Sequence, residues 1–227
     1  MDDTQLSRVT SDATTRLIAA STIGEAWIAV AGQILDRGDP GQYDGLAMRE
    51  LIMMTLYVTE PEPDDELIRR FADPERLAWM HLNFTDPARV AALGDADSYA
   101  TRLYDYDHRG LNQIDWVIER LRTDPSSRSA TITTFQPLSD TSYIPCVSLL
   151  DFFVTHDRLE LVVFAHSIDF GSMGFANLVE LAYLQARVAE GCGVDVGALT
   201  MIVKSAHVYE CDVDLMKGVL SSSADAS

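Results

Sequence analysis

The sequence predicts an α/β (α+β) fold in a single domain spanning residues 1–227, and three observations predict it. Apolar residues recur at helical spacing over 23–35 and again over 178–188. Two β-rich runs, 147–155 and 159–167, flank His156-Asp157-Arg158 as a hairpin, and a third run follows at 199–209. A chain of 227 residues is long enough for one sizeable core and short for two.

Residues 1–12 are polar and read as a frayed terminus. Thr22-Ile-Gly-Glu25 is a capping-box pattern, after which Ile23, Ala26, Trp27, Val30, Ile34 and Leu35 share one helical face. Gly38 and Pro40 stop that helix, and Trp27 reads as core. The apolar run 48–58, closed by Glu60-Pro-Glu-Pro63, fits a buried strand and a short helix equally. Glu50 near its start stands out, because burying an unpaired carboxylate is costly. It is either an exposed residue at the edge of an element or a charge retained for chemistry.

Residues 64–98 read as two short helices with loops, with Trp79 as a packing residue in the plainest reading. Ile114, Val117, Ile118 and Leu121 form a helical face closed by Asp124-Pro-Ser-Ser-Arg128. A strand follows at 130–135, then a loop at 137–142 and the hairpin. Gly171-Ser-Met-Gly174 leads into a helix carrying Leu178, Leu181, Ala182, Leu184 and Val188, which Gly191 is expected to end. The strand 199–209, a short helix from Asp212 and a flexible tail at 221–227 complete the expected chain.

Charge narrows the function. A net charge of −18 and an isoelectric point near 4.4 argue against a nucleic-acid or anionic-membrane surface. A small anionic ligand remains compatible, since it needs only a few local cations. Cys146, Cys192 and Cys211 lack metal-ligand spacing, so no metal is expected. Their odd number without a signal peptide points to a reducing cytoplasm. No apolar run approaches the ~18 residues a membrane helix requires.

The chemistry gathers around Tyr143-Ile-Pro-Cys146-Val-Ser-Leu-Leu. Cysteine directly after proline, at the mouth of a strand, holds a thiol where a ligand can reach it. A lone free cysteine usually packs as a small hydrophobe. The company of Cys146 argues otherwise: His166-Ser167-Ile-Asp169, then Asn177, then Ser205-Ala-His207-Val-Tyr209. Tyr99-Ala-Thr-Arg-Leu103 and Asn112-Gln113-Ile114 precede them in order. The set resembles the thymidylate synthase and pyrimidine nucleotide hydroxymethylase superfamily in its short, archaeal-type version, best from Tyr99 onward.

That resemblance implies a mixed and antiparallel sheet packed with helices, with the sheets of two protomers meeting at a homodimer interface. It implies a covalent bond from Cys146 to C6 of a pyrimidine, with Glu50 and Tyr99 moving protons through water and Asn177 supporting the base. Arg128 would reach the partner's phosphate, while His166 and Ser167 would face the substrate and His207 and Tyr209 would bind its sugar. Asp169 and Trp79 would hold the co-substrate methylenetetrahydrofolate. Two departures concern the phosphate. Ser129 stands where the family has a second arginine, and His166 stands where it has another, which a weaker anion anchor replaces. Ala176 replaces a commonly larger side chain and loosens the pocket near the sugar.

Asn177 leans towards uracil, since a carboxamide accepts from N3–H and donates to O4. The expected function is therefore one-carbon transfer to C5 of a uracil nucleotide of the dUMP or UMP type. Hydride would complete a methylation and water a hydroxymethylation. The alternatives are a degenerate member that binds nucleotide or nucleoside without turnover, and a specialised cytosine nucleotide hydroxymethylase.

Overall fold

A computed structural model describes residues 16–141 and 143–224. The expected frayed terminus at 1–12 lies outside the described residues. Among those described, a seven-stranded mixed sheet carries helices on one face. Strand β1 (Leu17–Ala20) leads into helix α1 (Ile23–Arg37), whose Thr22–Glu25 capping box forms as the sequence predicts. Trp27 is buried on α1, packs its ring at a tilt against Phe175 with centroids 4.9 Å apart, and donates its indole N–H to the Phe170 carbonyl at 2.9 Å.

The ambiguous run is a strand, β3 (Leu46–Val58), preceded by the edge strand β2 (Asp39–Tyr43). Met54, Leu56 and Val58 alternate into the core, which decides strand over helix. Pro40 is tolerated in β2 because that strand lies at the edge, where a missing N–H breaks no ladder. Helices α2 (Glu66–Phe71) and α3 (Pro74–Thr85) fill the region predicted to be two short helices. A small hairpin, β4 (Arg89–Val90) and β5 (Ala96–Asp97), follows them, and then α4 (Tyr99–Tyr104) and α5 (Gln113–Thr123).

Strand β6 (Ala130–Thr133) ends two residues before the expected limit. The hairpin of β7 (Val147–Thr155) and β8 (Arg158–Asp169) turns at His156 and Asp157, both at positive φ. Helix α6 (Gly174–Cys192) crosses to β9 (Asp195–Tyr209), and α7 (Val213–Ala224) closes the described chain. The sheet order is β1-β3-β9-β8-β7-β6, with β2 on β3.

Two boundaries correct the sequence reading. Gly191 lies inside α6 rather than at its end. A Cβ there would meet Ile118 at 2.7 Å, so this glycine permits α5 to approach, and Gly193 at φ +73 caps the helix. The expected tail at 221–227 is helical through Ala224, with Ser223 buried.

The loop that delivers Cys146 is pinned by an ion pair. Arg102 on α4 is 2% exposed and grips Asp140 with two nitrogens at 2.7 and 2.8 Å. It also donates to the carbonyls of Asp97 and Thr134. Asp140 in turn accepts from the Gln136 N–H at 2.7 Å, so the turn is tied at both ends. Replacing Arg102 with Ala would strand the Asp140 charge in a dry site, at an expected cost of roughly 3–5 kcal/mol. The urea midpoint should fall by the corresponding amount at unchanged m-value, and Arg102→Lys should recover only part of it, because an ammonium lacks the fork.

Candidate active site

Sheet register assembles the site. Glu50 on β3 pairs with His207 on β9, and His207 pairs in parallel with Asp169 on β8. Three residues distant in sequence thus stand in one row across three strands. Ser205 lies two residues before His207 and, by alternation, on the same face. Its hydroxyl donates to the Glu50 carboxylate and sits 3.5 Å from His207 Nδ1. The rings of His207 and Tyr209 meet edge to face at 5.0 Å.

Cys146 sits immediately before β7, and its carbonyl accepts the His166 N–H at 3.0 Å. Tyr99, the first residue of α4, stacks at 4.4 Å on Phe84 and takes the Val147 N–H on its phenol oxygen at 2.9 Å. Its own N–H donates to the buried side chain of Asn83. Asn177, 4% exposed in the first turn of α6, donates from Nδ2 to the Met173 carbonyl at 2.9 Å, so it does not act as an N-cap. Asp169 accepts from the Gly171 N–H at 2.9 Å and from the Ser172 hydroxyl.

Burial dominates the electrostatics. It pushes the Cys146 thiol above its ordinary value, and a side-chain hydrogen bond from Tyr143 opposes that shift. Burial also raises Tyr99 well above the usual phenol range, with Cys146 adding to the effect. Asp169 is raised and His207 lowered by burial, each held back by attraction to the other. His166 is lowered by burial and then by Lys204, and its Nδ1 lies 3.4 Å from the Ser148 hydroxyl. Every shift favours the neutral form.

Trp79 and Met173 line a cleft of about 490 Å³ with Asp73, Glu75 and Arg76. The N–H of Met173 donates to the Asp169 carbonyl, and Asp169 itself does not line this cleft. Ser167 pairs with Ser205 two positions before the Asp169–His207 pair, on the same face. Arg128 is not brought to this group within the chain. It lines a separate cleft of about 540 Å³ with residues 151–155, at the opposite end of β7 from Cys146.

The sequence reading gave no role to Tyr143, Ser205, Lys204, Asn83 or Asp140. Two signals were available. Ser205 shares the alternation of His207, and Lys204 is one of only two lysines in the chain.

The fold and this row of groups define a mixed-sheet protein with Cys146 at the mouth of β7 and a row of polar side chains across three neighbouring strands. The family model for thymidylate synthase matches residues 63–226. A candidate thymidylate synthase of Methanothermobacter marburgensis is 40% identical over 222 residues, covering 90% of this chain and 98% of the relative. A candidate thymidylate synthase of Methanosarcina barkeri is 30% identical over 213 residues, covering 90% and 94%. A bifunctional dihydrofolate reductase-thymidylate synthase of Paramecium tetraurelia is 27% identical over 115 residues, covering 50% of this chain and 25% of that protein. The chain belongs to the thymidylate synthase family. No helix among the described residues is long and apolar enough to cross a membrane.

The Tyr143 bond yields a direct test. Alkylation of Cys146 by iodoacetamide, resolved from Cys192 and Cys211 by peptide mass, should rise with pH around a midpoint above the ordinary thiol value. Tyr143→Phe removes a side-chain hydrogen bond that lowers this pKa, so the midpoint should move higher and labelling at fixed mildly alkaline pH should slow. An unmoved midpoint would show that the phenol does not act on the thiol.

Proposed function

We propose that this chain is a homodimeric, folate-dependent transferase that adds a one-carbon unit to C5 of a uracil nucleotide of the dUMP or UMP type. The observation that carries the reading is the row Glu50–His207–Asp169, with Cys146 joined to the next strand through His166. Family membership supplies the chemistry at a coarser level: methyl transfer to C5 of a pyrimidine nucleotide.

In this reading the Cys146 thiolate adds to C6 of the uracil ring, and the C5–C6 π electrons move towards O4. C5 becomes nucleophilic, and one difficult step is divided into easier ones. Asn177 keeps one amide hydrogen on Met173 and offers the rest of its carboxamide to N3 and O4, where charge develops. The Glu50–Ser205–His207 chain carries protons between the pyrimidine edge and water, and the Tyr99 hydroxyl stands by the thiol for the proton leaving C5. C5 bonds to the methylene carbon of the co-substrate, and loss of the C5 proton lets tetrahydrofolate leave from that carbon. Hydride or water then adds to it, and departure of Cys146 from C6 restores the C5–C6 double bond and the free thiolate. His207 and Tyr209 hold the sugar.

The cleft lined by Trp79 and Met173 is the candidate place for a folate. Trp79 offers an aromatic wall, Asp169 a carboxylate for the pterin's donor edge, and Arg76 a cation for the anionic tail. Methylenetetrahydrofolate bound there supplies the one-carbon unit. The sheet face away from the helices exposes Tyr57, Leu149 and Phe164 at 43%, 37% and 37%. A second copy covering that face accounts for these side chains and brings Arg128 towards the neighbouring site.

A second reading, nucleotide binding without turnover, draws support from the raised thiol and the absence of arginine at position 166. Fluorodeoxyuridylate with methylenetetrahydrofolate separates the two. The transferase should be trapped as a covalent complex on the Cys146 peptide, and a binder should stay unmodified. Cys146→Ser should keep the fold and lose at least ~10³ in turnover, because a hydroxyl is far less nucleophilic here. Near-normal turnover in that variant would remove the covalent step.

Asn177→Asp should shift preference from uracil towards cytosine nucleotides, since a carboxyl group can accept from the N4 amino group. Relative kcat/KM for the two bases measures this, and an unchanged ratio would remove Asn177 as the base reader.

A further inference from the structure

We infer that Lys204 provides the cation that receives the phosphate of the nucleotide substrate, at a place where residue 166 is not an arginine. The inference rests on the pyrimidine nucleotide reading of the site around Cys146 and adds the residue that holds the phosphate. The parallel pairs Ala165↔Val203 and Ser167↔Ser205 bracket His166 and Lys204, so those two stand side by side on adjacent strands. Their Cα atoms are therefore about 4.8 Å apart. Val203 is buried in the core, so alternation turns Lys204 to the opposite face, where it is exposed. A lysine side chain from that point reaches whatever His166 touches. His166 itself hydrogen-bonds the chain at Cys146, the residue that addresses the base.

Lys204 has no carboxylate partner among the described residues. The acids on its face are remote and already engaged. Asp151 pairs with Val162, four residues down β8 from His166, and accepts from the Thr131 hydroxyl at 2.6 Å. Glu160 lies six residues down and accepts the Ala198 N–H at 2.8 Å. These separations exceed about 13 Å along the strand alone. The other lysine, Lys217, sits on α7 against Asp214 at 3.6 Å. In a chain with 35 acidic and 17 basic residues, a lysine without a carboxylate partner among the described residues is unusual.

The neighbours of Lys204 sharpen the point. Phe164 and Ile202 pair across the same two strands on the same face, and Leu149 pairs with Phe164. If a second copy covers this face, an ammonium there is desolvated, which is costly unless an anion meets it. Histidine at 166 does not take that role. Burial and the nearby Lys204 both favour its neutral form, which leaves it a hydrogen-bonding partner for the same phosphate. The pair divides between two side chains what one arginine does with a single fork.

The test is equilibrium binding by calorimetry of uridine and deoxyuridine monophosphates and of the matching nucleosides to the full chain. Wild type should bind the monophosphates more tightly. Lys204→Ala should weaken them by about ten- to hundredfold and leave nucleoside affinity within about twofold, while Lys204→Arg should keep most of the preference. Lys204→Gln, similar in length, replaces Lys204→Ala if the latter does not fold. Monophosphate affinity unchanged by these losses of charge overturns the role of Lys204 and leaves the pyrimidine reading intact. So does equal weakening of nucleoside and monophosphate, which marks a structural residue, and so does a wild type without phosphate preference. Failure of wild type to bind any of the four compounds overturns both readings.

Discussion

Everything at the site depends on the parallel pairing of β8 with β9. That register sets Asp169 beside His207 and Ser167 beside Ser205, and β3 then adds Glu50 to the same row. Parallel neighbours cannot be joined by a tight turn, so the chain must cross over, and α6 is that crossover. Its nineteen residues are mostly buried against the sheet, and its first turn carries Asn177 to the end of the strands. Gln185 reinforces the pairing from inside α6, donating to the carbonyls of Leu159 on β8 and Gly197 and Ala198 on β9. The same helix that makes the pairing possible therefore also places a pocket residue.

The groups that result are partly or fully withdrawn from water, and that burial sets their chemistry. Cys146, Tyr99 and Asp169 are raised and His207 and His166 lowered, so the unliganded site gathers groups in their neutral forms. A hydrogen bond to its sulfur favours the nucleophilic thiolate of Cys146, and Tyr143 supplies one. Hydrogen bonds from Gly171 and Ser172 hold the Asp169 carboxylate in place. Preorganisation of this kind comes from the backbone and short hydroxyl side chains. It therefore adds little conformational entropy cost when a ligand arrives.

The two faces of the sheet have separate tasks. The helical face carries the core and, at the strand ends, the row of polar groups. The opposite face carries exposed apolar side chains together with His166 and Lys204. One residue of shift along β9, from Ser205 to Lys204, moves a side chain from the first environment to the second. Ser167 and His166 are divided in the same way on β8. The Arg102–Asp140 pair completes the arrangement from the flank, because it fixes the turn from which the chain enters Pro145 and Cys146.

The sequence by itself determined the hairpin 147–167, the capped helix after Thr22, the crossover helix and the last strand. Each is specified by short-range periodicity or turn chemistry, which a linear reading detects. It also determined the set of candidate residues, since the spacing from Cys146 to Tyr209 resembles one family. Tertiary structure decided what periodicity leaves open. The run 48–58 became a strand because both its neighbours, β1 and β9, are themselves strands supplied from distant parts of the chain. Gly191 became an interior contact with Ile118 rather than a stop, a choice made by the approach of α5. The ladder that joins Glu50 to His207, and the face that sets Lys204 beside His166, are properties of strand register. Register arises between segments, from hydrogen bonds and burial shared by residues far apart in sequence, and no local pattern encodes it.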